Sequence, residues 1–269
     1  MYFAASAVSL YLGASIAVSM FDRMAPGAVA FVRVASSAGL LLAWRRPWRR
    51  RWTRAERDAA IAFGVATAAM NLCFYLAAAR IDLGAGVAIE FIGPVAVAAL
   101  GTRTTRNACA LLFAASGIGL LSTFASGTER TGIAFAIGAG ALWGAYVVLG
   151  RRVSVEGAGI DGLGIGMVAG AIAIAPFGVG GLGPVADAPE LLVLGSLVGL
   201  LANVIPYSLD QVVLRRLPRE RFALLLALLP ATATATGVLL LDQRPSPREL
   251  AGIALIVAGI AVRDRSGER

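Results

Sequence analysis

The stretch that decides the fold is Phe74-Tyr75-Leu76…Arg80-Ile81-Asp82…Gly93-Pro94-Val95-Ala96, because it returns 136 residues later, from Pro94 to Pro230. The second copy reads Asp210-Gln211-Val212…Arg216-Leu217-Pro218…Leu229-Pro230-Ala231-Thr232. Each copy is a helix, a short turn and a second helix interrupted by proline. Around this unit the likeness extends over residues 3–124 and 139–260, and each half contains five long apolar stretches. An odd number of spans inverts the second copy relative to the first, and inverted repeats mark many secondary transporters.

The apolar stretches define ten expected membrane spans. In the first half they are Tyr2–Phe21, Pro26–Trp44, Asp58–Ala79, Leu83–Gly101 and Ala108–Phe124. In the second half they are Thr131–Gly150, Gly159–Gly178, Leu191–Leu214, Phe222–Leu241 and Pro247–Val262. A chain that is 58% hydrophobic and only 15% charged lies well below the ~25% charge of soluble domains. The fold class is therefore an all-α polytopic membrane protein with two inverted five-helix repeats, residues 1–124 and 131–262, and a tail of residues 263–269. The first stretch lacks the basic flank of a cleaved signal and exceeds its usual apolar length. The longest loop, Arg45–Arg57, leaves no room for a soluble domain.

Charge fixes the expected orientation. All 24 basic residues are arginine. With both termini cytoplasmic, eighteen of them fall on the inner side and five outside (Arg23, Arg80, Arg130, Arg244 and Arg248), with Arg33 inside a span. This is the positive-inside bias of a bacterial inner-membrane protein, and it removes the nucleic-acid reading of the +8 net charge. Equivalent loops carry opposite bias: the arginine-rich Arg45–Trp52 segment corresponds to Gly181–Glu190, which has no basic residue. Loop charge follows the membrane side while span pattern follows the repeat, as inversion requires.

Polar residues inside apolar spans are the functional candidates, since hydrocarbon penalises them. Glu90 and Arg33 each lie seven residues from the outer end of a span, about 10 Å deep at ~1.5 Å per residue. Two readings stand: an ion pair that locks two helices, or a protonatable or amine-binding Glu90 with Arg33 as tuning partner or carboxylate clamp. Asn71, Tyr75, Trp143, Tyr146, Asn203, Tyr207 and Gln211 are the candidate substrate-cavity residues. Asn203, Tyr207 and Gln211 share one helical face by their four-residue spacing. Pro94 and Pro230 sit inside spans, where proline removes a helical hydrogen bond and bends the helix. Matched bends in two halves point to a central binding site. Glycines recur at four-residue spacing (Gly162/Gly166/Gly170, Gly140/Gly144 and Gly195/Gly199), which suits close helix contact in lipid.

No catalytic template occurs. A Walker A lysine loop, a G-x-S-x-G elbow and an H-E-x-x-H pair are all missing, and with no histidine and two separated cysteines no metal site or cofactor is expected.

The segments Ala88-Ile89-Glu90-Phe91-Ile92-Gly93-Pro94-Val95-Ala96-Val97-Ala98, Gly138-Ala139-Gly140-Ala141-Leu142-Trp143, Pro206-Tyr207-Ser208-Leu209-Asp210, Arg216-Leu217-Pro218 and Leu229-Pro230-Ala231 resemble the drug/metabolite transporter superfamily with EamA-type repeats. More narrowly they are similar to the bacterial threonine/homoserine exporters. The resemblance implies a ten-helix basket with its cavity among the first four helices of each repeat and the fifth and tenth helices outside. It also implies efflux of small amino acids. Two departures are an absent N-terminal tail and Asp210 where the family often has Glu. The expected function is proton-coupled export of a small amino acid or related metabolite by alternating access, with a facilitative uniporter of the same fold as the alternative. The expected partners are that small solute, protons and the lipid bilayer. The sequence leaves the oligomeric state open, and a monomer is compatible with the features above.

Overall fold

The structure is a computed structural model that describes residues 2–101, 104–123, 127–155, 159–209 and 228–262. Among these residues every regular element is helical. Helix α1 spans Tyr2–Ser19, α2 Pro26–Arg45, α3 Arg54–Ala78, α4 Leu83–Glu90 and α5 Ile92–Gly101. Then come α6 (Thr105–Thr123), α7 (Gly127–Val155), α8 (Gly159–Gly178) and the short α9 (Pro184–Asp187). Helix α10 runs over Glu190–Gly199, passes through a π-helical stretch at Leu200–Val204 and continues to Leu209. Helices α11 (Leu228–Leu240) and α12 (Pro247–Val262) complete the described chain.

Five helices, Pro26–Arg45, Arg54–Ala78, Gly127–Gly150, Gly159–Gly181 and Glu190–Leu209, are long and apolar enough to cross a bilayer, and Ala5–Ser19, Leu83–Val97 and Thr105–Leu121 are shorter apolar helices. Their outer faces carry exposed Leu112, Ile172, Phe177, Val193 and Leu239. Large apolar patches of this kind need a cover, and lipid supplies it.

Two helix starts explain themselves locally. Thr53 and Glu56 form a reciprocal capping box on α3: the Glu56 N–H donates to Thr53 Oγ1 (3.2 Å) and the Thr53 N–H to Glu56 Oε2 (2.8 Å). These Thr53 bonds, helped by Arg50, hold the Glu56 carboxyl below the usual range. Ser246 and Glu249 repeat the arrangement at α12.

Glycine sets the helix spacing. A Cβ at Gly64 of α3 would lie 1.9 Å from Gly166 O of α8, and one at Gly93 of α5 would lie 1.8 Å from Gly140 O of α7. Gly195 and Gly199 bring α10 against Val32, Ser36 and Ser37 of α2. Each glycine set singled out by spacing thus has a member against the backbone of a neighbouring helix (Gly166 and Gly170, Gly140, and Gly199), where van der Waals packing holds helices in lipid. Helices α6 and α12 pack on each other through Gly117, Gly252 and Gly259. The ion pairs Arg23–Glu190 (2.6 Å) and Arg45–Asp161 (2.9 Å) tie the two ends of α2 to α10 and α8.

Pro94 decides where one span breaks. Pro94 has no N–H for Glu90 O, four residues back. Accordingly α4 ends at Glu90 and α5 restarts at Ile92, so the Leu83–Gly101 span is two helices in line. Gly140 packs on the exposed carbonyl: a Cβ there would approach Glu90 O to 2.7 Å. Pro230 lies in the first turn of α11; residues 210–227, including Gln211, lie outside the described residues. Thr234 and Thr236 donate back to Pro230 O and Thr232 O of their own helix (2.8 and 2.9 Å).

Candidate functional site

Helices α1, α2, α3, α4, α7, α10 and α11 enclose a cavity of about 110 Å³ at the heart of the bundle. Its walls include Tyr11, Phe74, Trp143, Tyr146 and Tyr207, and its polar residues include Arg33, Asn71 and Glu90. The aromatic rings interlock: Trp143 meets Phe91 edge-on with centroids 4.6 Å apart, and Tyr146 lies between Phe63 (4.7 Å) and Tyr207 (5.9 Å). The break at Phe91 places Glu90 at a helix end, facing this space. Its side chain is buried, with the residue 8% exposed. Among the described residues no ion pair or hydrogen bond engages its carboxylate.

Arg33 does not form the expected ion pair with Glu90. Its Nε donates to Asn203 Oδ1 (2.8 Å) and its Nη2 to Ala202 O (3.0 Å), while its guanidinium lies over the Tyr75 ring, 5.1 Å from the centroid. The reason is Pro206. In the π stretch the Ile205 N–H reaches five residues back to Leu200 O. Pro206 has no N–H to offer either Leu201 O or Ala202 O, the carbonyls five and four residues before it. Side chains from the facing helices serve them instead: Ser9 Oγ donates to Leu201 O (2.7 Å) and Arg33 to Ala202 O. Asn203 Nδ2 donates onward to Ser37 Oγ (3.0 Å), which donates to Arg33 O (2.6 Å).

This network also moves Asn203 out of the cavity. It is fully buried between α10 and α2 and lines no part of the space, contrary to its expected role. Spacing put Asn203 and Tyr207 on one face, but only Tyr207 lines the cavity, because Arg33 and Ser37 hold the Asn203 amide against α2. Asn71, Trp143, Tyr146 and Tyr207 do line the cavity. Tyr75 is fully buried beneath Arg33, and its hydroxyl has no partner. Sequence reasoning passed over Tyr11, Ser9 and Pro206 as site features. A proline with polar residues on both sides in a long apolar stretch was the available signal for the last.

A second, larger space of about 730 Å³ opens at the Arg80–Asp82 turn and is lined by Asp82, Glu129, Gln243, Arg248 and Glu249. Asp82 stands at the N-cap of α4 without a capping bond; Gln243 Oε1 accepts from the Leu83 N–H instead (3.1 Å). Burial, then Glu249 and Glu129, push the Asp82 carboxyl above its ordinary range. This space is wider and lies at the turn, whereas Glu90 and the unpartnered Asn71 Nδ2 both line the smaller one, which is therefore the candidate site.

A helical membrane bundle around a small, largely apolar central cavity with a few polar groups is a transporter architecture, and the EamA-like transporter family model matches residues 130–262. The chain belongs to that family and is a multi-pass protein of the bacterial inner membrane. It is 33% identical to the threonine/homoserine exporter RhtA of Escherichia coli over 253 residues, 93% of this chain and 85% of the relative. It is 32% identical over the same shares to the threonine/homoserine exporter RhtA of Salmonella typhimurium. These relatives are exporters, not enzymes, and the chain is a member of a transporter family in the same sense.

Proposed function

We propose that this protein exports small amino acids of the threonine/homoserine type, or related metabolites, by alternating access coupled to protons. The observation that carries the reading is the Glu90 carboxylate, buried and unpaired on a cavity of about 110 Å³. Drug-sized ligands need roughly 300 Å³ or more, while a cavity of about 150 Å³ admits benzene. The space is therefore too small for a drug-sized ligand, and even a solute of eight heavy atoms such as threonine or homoserine, which the relatives are named as exporting, needs its walls to open further. A carboxylate without a fixed partner is free to exchange a proton or an ammonium group as the site changes sides.

The architecture behind this function is ten spans in two inverted repeats, residues 1–124 and 131–262, with both termini cytoplasmic. Helix contacts support it. Gly27 of α2 packs on Phe177 O of α8, and Gly164 of α8 packs on Leu41 of α2. The 136-residue offset exchanges these two contacts to within one residue, and the helices run antiparallel, as equivalent helices of inverted halves must. Tyr146 and Tyr207 line both the central cavity and a smaller space beside Gly159 and Ile160. Their rings form the barrier whose movement would join the two.

The test is efflux from proteoliposomes with and without an imposed proton gradient. Glu90→Gln should lose gradient-driven accumulation and keep exchange at saturating solute, since exchange moves no net proton. Wild-type gradient-driven transport by this variant would make Glu90 structural and the protein a facilitative uniporter.

A further inference from the structure

Two buried polar groups on the cavity lack a protein partner, and they are of opposite kind. Glu90 brings an acceptor from α4. Asn71, 3% exposed, brings an amide from α3 whose Nδ2 donor has no hydrogen-bond partner. Native proteins leave few such groups unsatisfied, and each one calls for a missing partner. The terminal torsion of asparagine is soft, so the donor can turn toward a solute in the cavity.

Arg33 gives the space its polarity. Its guanidinium rests on Tyr75, one helical turn from Asn71 on the same face of α3. The positive charge therefore lies one turn from Asn71 along α3, on the cavity that Glu90 also lines. Yet Nε and Nη2 of Arg33 are engaged by Asn203 and Ala202. Arg33 supplies the field, and Asn71 supplies the open donor. The remaining wall is largely aromatic and aliphatic, as Tyr11, Phe74, Val87 and Trp143 show.

We infer that Asn71 reads the carboxylate of a zwitterionic solute while Glu90 holds its ammonium group. The inference rests on the cavity being the substrate site. An α-amino acid carries both groups on one carbon and meets both poles at once. An analogue lacking either end leaves one buried pole unpaired, and a site built to hydrogen-bond a group discriminates strongly against its loss.

The experiment is counterflow in proteoliposomes loaded with homoserine, with three competitors: homoserine, its decarboxylated amine and its deaminated hydroxy acid. For wild type, each one-ended analogue should compete at least about tenfold more weakly than the zwitterion. Asn71→Leu should weaken homoserine about tenfold, toward the amine, and leave the amine unchanged. Asn71→Asp should reverse the order in favour of the amine, because two carboxylates then face the solute. Glu90→Gln should narrow the gap between homoserine and the hydroxy acid.

Equal competition by amine and zwitterion in wild type would overturn the inference, and that comparison needs no variant to fold. Equal weakening of both by Asn71→Leu would also overturn it, reducing Asn71 to a wall residue. If Glu90→Gln changes transport while both Asn71 variants behave as wild type, only this inference fails. If none of the three variants shifts any competitor, the solute binds elsewhere and the cavity reading fails with it.

Discussion

Removing the Arg33 guanidinium tests whether it exists to serve the helix interrupted by Pro206. Arg33→Leu leaves two acceptors, Asn203 Oδ1 and Ala202 O, without their donor. Each buried acceptor left unpaired costs about 1–3 kcal/mol, so the gross loss is about 2–6 kcal/mol. Relief from burying the guanidinium itself, 2% exposed, offsets part of this, so the single variant reports a mixture. The double-mutant cycle with Pro206→Ala separates the terms. Alanine at 206 restores an N–H within reach of Ala202 O, so Arg33→Leu should cost less in that background. The expected coupling is about 1.5–3 kcal/mol, the worth of one charged hydrogen bond to a carbonyl. The assay is equilibrium unfolding of the purified protein by titration with denaturing detergent in mixed micelles. Additivity within about 0.5 kcal/mol would refute the idea that Arg33 replaces the donor that Pro206 removed.

Gly64→Ala should destabilise the protein by about 3 kcal/mol or more, the upper end of overpacking, because the new Cβ meets backbone atoms of Gly166 at 1.9–2.2 Å. Gly39→Ala, with nothing within 4 Å, should be neutral or stabilise by about 0.5–1 kcal/mol, and equal effects in a thermal-shift assay would contradict the contact. Asp82 has a raised folded-state carboxyl, so its protonated form favours the fold: that contribution is present below the unfolded value of about 3.9 and is lost as pH rises through the higher folded value. Asp82→Asn should therefore raise the melting temperature at neutral pH and leave it unchanged near pH 3, and a loss of stability at neutral pH would contradict this sign. Tyr207→Ala, which opens the wall between the cavity and the space beside Ile160, should weaken solute affinity about tenfold or more while preserving the amount of folded protein; unchanged affinity in counterflow would remove Tyr207 from the site.

The part played by Pro206 was not legible in the sequence, whereas the apolar stretches, the interrupting Pro94 and the rare charged and polar residues within spans were. Each is a local property: a helix must satisfy its own backbone in lipid, and a charge in hydrocarbon stands out wherever it occurs. Glu90, Asn71, Trp143, Tyr146 and Tyr207 were found this way, and all five line the cavity. Only the tertiary structure decided what the polar groups are paired with. Arg33 and Glu90 match in depth along their spans, yet Arg33 turns to Asn203 and Ala202, about 170 positions away in the chain. Depth is set by position along one helix, whereas a partner is set by which faces of two helices meet. Pro206 follows a π stretch in α10, and Asn203 within that stretch is bound by Arg33 and Ser37 of α2 instead of lining the cavity with Tyr207. The carbonyls left open there draw Ser9 and Arg33 from α1 and α2, and Glu90 is thereby left unpaired on the cavity.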